Sequence, residues 1–255
     1  MQTVLRTLVP LLLLSLSTHT DAQTPFPDPE STGSGALILS IWDPNLGTSL
    51  LYAIPNETYQ SIQRNRPDLD GFSIEIPDFA STFIESNTAD LRYTLFAAGT
   101  SSGSDAAGPA FYVTRDTPQF FRTVTNEQAG LTYDNALVFN ANLAAACPTP
   151  TCIAFSSEDP VYAGQPDWGD LSATLPFDAS GALGDSLFFF QITQLNRGEF
   201  ARGRDVRGTG GFDLLWTLDD TGTLSASSTV PLPSSLLLLL SGFAGVWSSR
   251  RGRRR

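Results

Sequence analysis

Ala36-Leu37-Ile38-Leu39-Ser40-Ile41-Trp42 is followed by Asp43-Pro44-Asn45-Leu46-Gly47, and the segment 49–54 returns as a second apolar run. An apolar stretch of strand length, a Pro/Asn/Gly turn signal and a second stretch of matching length read as an antiparallel hairpin. The same pattern repeats outward from it. Phe72-Ser73-Ile74-Glu75-Ile76 alternates apolar and polar residues, as a half-buried strand does. Segments 91–97, 110–114, 173–177 and 186–195 read as further strands. Phe212-Asp213-Leu214-Leu215-Trp216-Thr217, the turn Asp219-Asp220-Thr221-Gly222 and segment 223–227 read as a last hairpin. This succession of short strands with turn signals between them predicts a mainly β fold. The expected form is one antiparallel β-sandwich or jelly-roll-like domain with a few short helices.

Three helical segments are expected. The first covers 58–65, behind Pro55. The second covers 79–85, with Asp78 as its cap and Phe79 and Phe83 on one face at i, i+4. Thr125-Asn126-Glu127-Gln128 has the form of a capping box and opens a third. That helix extends over 134–146 with Leu137 and Leu143 inward. Gly130 argues for a break, and 137–140 also reads as a strand.

Both termini read as addresses rather than as fold. Arg6, the apolar run 8–16 and Ala22 before Gln23 have the order of a secretory signal peptide over residues 1–22. A Pro/Ser/Thr/Gly lead-in over 23–35 connects it to the β domain, 36–228. In the segment 229–255, Val230-Pro231-Leu232-Pro233 precedes Leu236-Leu237-Leu238-Leu239-Leu240, and Arg250, Arg251, Arg253, Arg254 and Arg255 follow. Residues 230–247 as a helix are roughly 27 Å long at about 1.5 Å per residue, against a bilayer core of about 30 Å. Arginines behind such a segment stay on the cytoplasmic side and place the β domain outside.

This three-part pattern resembles the C-terminal sorting signal of PEP-CTERM proteins, the exosortase substrates of Gram-negative bacteria. The Val230-Pro231-Leu232-Pro233 form is similar to the family's Val-Pro-Leu-Pro variant, with Leu232 where the usual motif has Glu. The resemblance covers the tail alone. It implies processing by an exosortase-type enzyme after a signal peptidase has acted, and a transient inner-membrane intermediate held by the tail. The expected destination is the cell surface or extracellular matrix, with a structural or adhesive, non-enzymatic role in exopolysaccharide or biofilm. A Gram-positive sortase signal lacks its Thr-Gly here, and a GPI-type signal ends in its apolar tail rather than in arginines.

Charge and composition narrow the chemistry. Lysine is absent, and between the termini nine arginines stand against 25 acidic residues, a net of −16. Such a surface repels phosphate, so nucleic acid is not an expected partner. The acidity reads as solubility, and no Asp-x-Asp-x-Asp-Gly calcium loop or other metal or cofactor motif is present. The single histidine, His19, lies in the signal peptide. Serine or cysteine triads, His-ligated zinc and lysine Schiff bases are therefore excluded from the domain itself. Carboxylate chemistry of the glycosidase type is the enzymatic alternative. Glu57, Glu75, Glu85, Glu127, Glu158 and Glu199 are candidates for it by residue type only.

Two further features concern binding and stability. Cys147 and Cys152, in Cys-Pro-Thr-Pro-Thr-Cys, are expected to pair as a local disulfide in an exported protein. Segment 197–211 holds Arg197, Arg202, Arg204 and Arg207 among glycines. It reads either as a solvated loop or as a contact patch for an acidic polysaccharide or another surface molecule. Trp42, Trp168 or Trp216 with Tyr52, Tyr59 or Tyr162 could stack on sugar rings. Trp168, set among Gly, Pro and Asp, is the one best placed for exposure, and it joins Arg202, Arg204 and Arg207 as a candidate glycan contact. A carbohydrate-binding module is accordingly the second functional alternative. Trp42 and Trp216 lie in apolar strands and read as core.

Overall fold

The computed structural model describes residues 26, 37–63, 69, 71–99, 110–118, 124–166, 171, 173–195 and 198–228. The opening hairpin is present as β1 (Leu37–Asp43) and β2 (Thr48–Ile54), paired from Leu37↔Ile54 to Asp43↔Thr48. Every β1 residue is buried, because both faces of this strand are covered. That is why its sequence is an unbroken apolar run rather than an alternation. At the turn the Asp43 carboxylate accepts hydrogen bonds from the backbone N–H of Asn45 (2.8 Å) and Leu46 (3.1 Å). Gly47, at φ 68°, supplies the left-handed step back into β2.

Nine further strands follow: β3 (Ser73–Glu75), β4 (Arg92–Gly99), β5 (Ala110–Arg115), β6 (Thr151–Ala154), β7 (Gly181–Ala182), β8 (Ser186–Thr193), β9 (Arg202–Asp205), β10 (Leu214–Leu218) and β11 (Thr223–Ser228). The fold is mainly β and every pairing is antiparallel. The eleven strands form one sheet in the order β3-β11-β10-β8-β5-β4-β1-β2-β6, with β7 beside β4 and β9 beside β8. The pairing is thus continuous, where a sandwich has two separate sheets. The sheet encloses an interior by curling. Strands β4 and β10 are three steps apart in the order, about 14 Å on a flat sheet. Yet the Tyr93 hydroxyl lies 2.6 Å from the Asp185 carbonyl and 3.0 Å from that of Trp216.

The curl encloses Leu37, Leu39, Ile41, Tyr52, Leu95, Phe189, Trp216 and Leu224 in one core. Two short helices close it, α1 (Asn56–Gln63) with Tyr59 and Ile62, and α2 (Phe79–Thr82) with Phe79. A line of rings crosses it, with Tyr59–Tyr112 at 6.0 Å, Tyr112–Phe189 at 5.9 Å, Phe189–Trp216 at 6.1 Å and Trp216–Phe72 at 5.6 Å between centroids. The opposite face, with Ile38, Trp42, Leu51, Phe96, Val113 and Ile192, is covered by helix α3 (Asn126–Ala146) and by irregular chain carrying Val161, Tyr162, Leu171, Leu175 and Ala179. Phe26, the described residue of the lead-in, is buried in this second core.

The capping box at Thr125 is complete. Its hydroxyl accepts from Gln128 N–H at 3.1 Å, and the Gln128 side chain accepts from Thr125 N–H at 2.9 Å. Helix α3 runs unbroken through Gly130, and residues 137–140 belong to it rather than to a strand. A Cβ at position 130 would come within 2.9 Å of the Gln194 amide, so the glycine serves a close approach. Leu143 is buried, and Leu137 packs against the same core.

Two expectations are corrected. Residues 173–177 form turns, with Thr174 N–H and Leu175 N–H both donating to the Leu171 carbonyl. Leu171 at φ 58° and Pro176, which has no N–H to donate, keep this stretch out of a ladder. Asp78 does not cap α2. Its backbone is left-handed (φ 62°), its side chain makes no capping bond, and the helix is one turn long. Its carbonyl does the holding instead, accepting from Thr82 N–H and the Ser81 hydroxyl. Phe79 and Phe83 do meet, with ring centroids 5.4 Å apart.

Candidate functional site

The arginines of segment 197–211 divide on the structure. Arg202 and Arg204 lie in β9, opposite Thr193 and Gln191 of β8, so this part of the segment is a strand and not a loop. Their spacing of two puts both on one face, and both are exposed. Arg204 donates to the Gln191 side chain at 2.7 Å. Beyond the strand, Arg207 is exposed, and its backbone forms an isolated antiparallel β-bridge with that of Asp213. Charged side chains on a short outer strand are a common guard against edge-to-edge pairing. Two carboxylates, Asp205 and Asp213, lie in and beside the patch. Burial and the nearby Asp213 push the Asp205 carboxyl above the usual range, with Arg207 acting against them. Trp168, the aromatic candidate for glycan contact, lies outside the described residues, as does Arg197. So do the sorting motif Val230, Pro231, Leu232 and Pro233 and the five terminal arginines.

The other aromatic candidates are core residues. Trp216, Tyr52 and Tyr59 are fully buried, and Tyr162 is buried with its hydroxyl donating to the Asp43 carbonyl. The six glutamates considered for carboxylate chemistry are all exposed and sit on separate elements and turns. Among the described residues no group of three or more His, Cys, Asp or Glu could hold a metal ion. No helix among them is long and apolar enough to cross a membrane.

Cys147 and Cys152 form the expected disulfide, with Cα atoms 5.5 Å apart. Cys147 ends α3, its N–H donating to the Leu143 carbonyl, and Cys152 lies in β6. The bond therefore fastens the C-terminal end of the covering helix to the sheet it covers.

A surface that sequence reasoning missed lies at the other end of this face. A groove of about 660 Å³ is lined by Trp42, Pro44, Arg92, Leu175, Pro176, Phe177, Asp178 and Ser180. Arg92, at the start of β4, uses Nη2 to meet the Asp178 carboxylate (3.2 Å) and the Ser180 hydroxyl (3.2 Å). Asp178 in turn accepts from Ser180 N–H (3.0 Å) and from the Ser180 hydroxyl (2.9 Å). The segment that carries Asp178 and Ser180 is anchored below. The Ala179 carbonyl accepts from the buried hydroxyls of Thr94 (2.9 Å) and Thr114 (2.8 Å) at the splay between β4 and β5. Arg115 stacks over the Phe177 ring at 4.6 Å, and burial lowers its guanidinium's proton affinity against the pull of Asp116. The contacts of Arg92, Thr94, Thr114 and Arg115 with segment 177–180 join residues more than 60 positions apart in the chain, with no local motif to announce them.

Comparison with known proteins adds no relative: no family model, no curated protein and no solved structure matches this chain.

Proposed function

We propose that this is an exported protein of the cell surface or extracellular matrix. It is held transiently in the inner membrane by residues 229–255 and released by an exosortase-type enzyme. Its role is structural or adhesive within exopolysaccharide, without catalysis. The observation that carries this reading is the three-part order of Val230-Pro231-Leu232-Pro233, an apolar segment and an arginine cluster. The Cys147–Cys152 disulfide supports it, because such bonds persist in oxidising compartments outside the cytosol. Support for a non-catalytic role comes from the exposure of all six candidate glutamates and from a domain sequence without His or Lys.

Intact mass spectrometry of the protein from its own cells, with membrane and medium measured separately, tests the proposal. A chain that begins near Gln23 and ends near Pro233 is the expected result. A chain that keeps residues 236–255 in the membrane fraction would make it a permanently anchored protein and end the exosortase assignment. Activity on any polysaccharide that a single Asp or Glu substitution abolishes would end the non-catalytic reading.

A further inference from the structure

We propose that the groove between the β1–β2 turn, the start of β4 and residues 175–180 binds a neutral saccharide. This deepens the matrix reading, which makes polysaccharide the surrounding medium. The groove presents a donor and an acceptor side by side, already held in place. Among the described residues every side-chain hydrogen bond of Arg92 runs through Nη2, which leaves the N–H groups of Nε and Nη1 for a ligand. Asp178 is fixed through Ser180 and is 51% exposed, with lone pairs to spare. Adjacent sugar hydroxyls both donate and accept, and a guanidinium beside a carboxylate answers both demands. Because the pair is fixed before a ligand arrives, little ordering cost is added on binding.

The rest of the lining suits the C–H faces of a pyranose. Phe177, Pro44 and Pro176 supply the accessible apolar wall, with Trp42 and Leu175 almost fully buried beneath it, and Arg115 over Phe177 fixes that ring. The size lies within the range of about 300–1,000 Å³ usual for small-molecule sites. Charge selects a neutral ligand. Asp178 already balances Arg92, and the domain around them is strongly acidic, so a uronate or phosphate is repelled. A purely apolar ligand would strip water from both charges without replacing it. Among the described lining residues a cation would find one carboxylate only.

The test uses the processed protein purified from its own cells. It is titrated with soluble neutral glucan, mannan and galactan and, as the anionic control, with polygalacturonate. Calorimetry and tryptophan fluorescence are followed together, since Trp42 lines the groove. At least one neutral polymer is expected to bind saturably. Arg92→Ala and Asp178→Asn should each weaken it about tenfold or more, the cost of a hydrogen bond to a charged group. Phe177→Ala should weaken it as well, and the double variant Arg202→Ala/Arg204→Ala should leave it unchanged. Asp178→Asn preserves side-chain shape, and circular dichroism checks that each variant is folded. The proposal is overturned if no neutral polymer binds or if Arg92→Ala and Asp178→Asn bind as the parent does. It is also overturned if only polygalacturonate binds and the β9 double variant abolishes it. The readout does not depend on how the termini are processed. A protein that binds but keeps its tail refutes the exosortase assignment alone, and a processed protein that binds nothing refutes the groove alone.

Discussion

The two faces of the sheet are held by different means. The face inside the curl is closed by pairings between distant parts of the chain, and its rings run from Tyr59 through Tyr112, Phe189 and Trp216 to Phe72. The other face is closed by a single helix and by irregular chain. Local devices fix that helix: the Thr125–Gln128 capping box, Asn126, whose side chain accepts from Leu195 N–H and donates to the Gly198 carbonyl, and the disulfide at its far end. One layer depends on the whole topology. The other is fastened at its two ends and can loosen while the sheet persists. The proposed saccharide site lies on the fastened side, where irregular chain meets the sheet.

The largest expected effect separates the two layers. Trp216→Ala opens a cavity in the centre of the enclosed core and should cost about 3–5 kcal/mol in chemical denaturation. All probes should report it together, because no part of the curl is independent of β10. Leu143→Ala removes a fully buried side chain under α3 and should cost about 3 kcal/mol. Its hydrogen-exchange signature should differ, with α3 amides losing protection before those of β5 and β8. If both variants raised exchange uniformly, the distinction between the layers would be wrong.

A third substitution should stabilise. Asn140 in α3 is 1% exposed, and neither polar atom of its side chain has a hydrogen-bond partner among the described residues. A buried amide without partners costs free energy that an apolar side chain of similar size does not. Asn140→Leu should raise stability by about 1–2 kcal/mol, seen as a higher Tm. A lower Tm would show that the amide is engaged. Thr125→Ala should cost about 1 kcal/mol through the lost cap. Its increase in exchange should be confined to the first turns of α3, since the disulfide holds the opposite end.

The same division explains what the sequence made legible. The hairpin 37–54, the last hairpin, the strands β4, β5 and β8 and the capping box are local patterns, and each is found where its residues predict. Three strands were not legible. β9 is Arg-Gly-Arg-Asp, which has no apolar residue and becomes a strand only because β8 offers an edge. β6 follows Pro148 and Pro150 at once, and those prolines mask it. β7 is two residues long. The single curled sheet was also hidden, because alternation reports that a strand has a buried face but not which strand covers it. The arginines followed the same logic. Their density drew attention to 202–207, whereas the held pair is Arg92 with Asp178, 86 positions apart. Distance in the chain, and not weakness of the chemistry, hid it.

The smallest effects concern single carboxylates, and their signs oppose. Asp219 closes the β10–β11 turn. Burial pushes its carboxyl up, but the Thr221 hydroxyl and the N–H groups of Thr223, Thr221 and Gly222 outweigh that and hold it below the usual carboxylate range. Its stabilising contribution is therefore complete above the unfolded value of about 3.9 and fades as pH falls through the lower folded value. Asp205 is the reverse. Burial and Asp213 raise its carboxyl despite Arg207, so the folded state holds this proton more tightly than the unfolded chain does. Its ionisation destabilises the fold once pH rises past the unfolded value, with the full effect above the raised folded value. Asp219→Asn should thus lower Tm at pH 7 and do so less near pH 3. Asp205→Asn should raise Tm at pH 7, with the gain shrinking in acid. Melting curves across pH 3–7 for both variants decide it, and parallel shifts of one sign in the two would show that the β9 edge does not carry the carboxylate repulsion described for it.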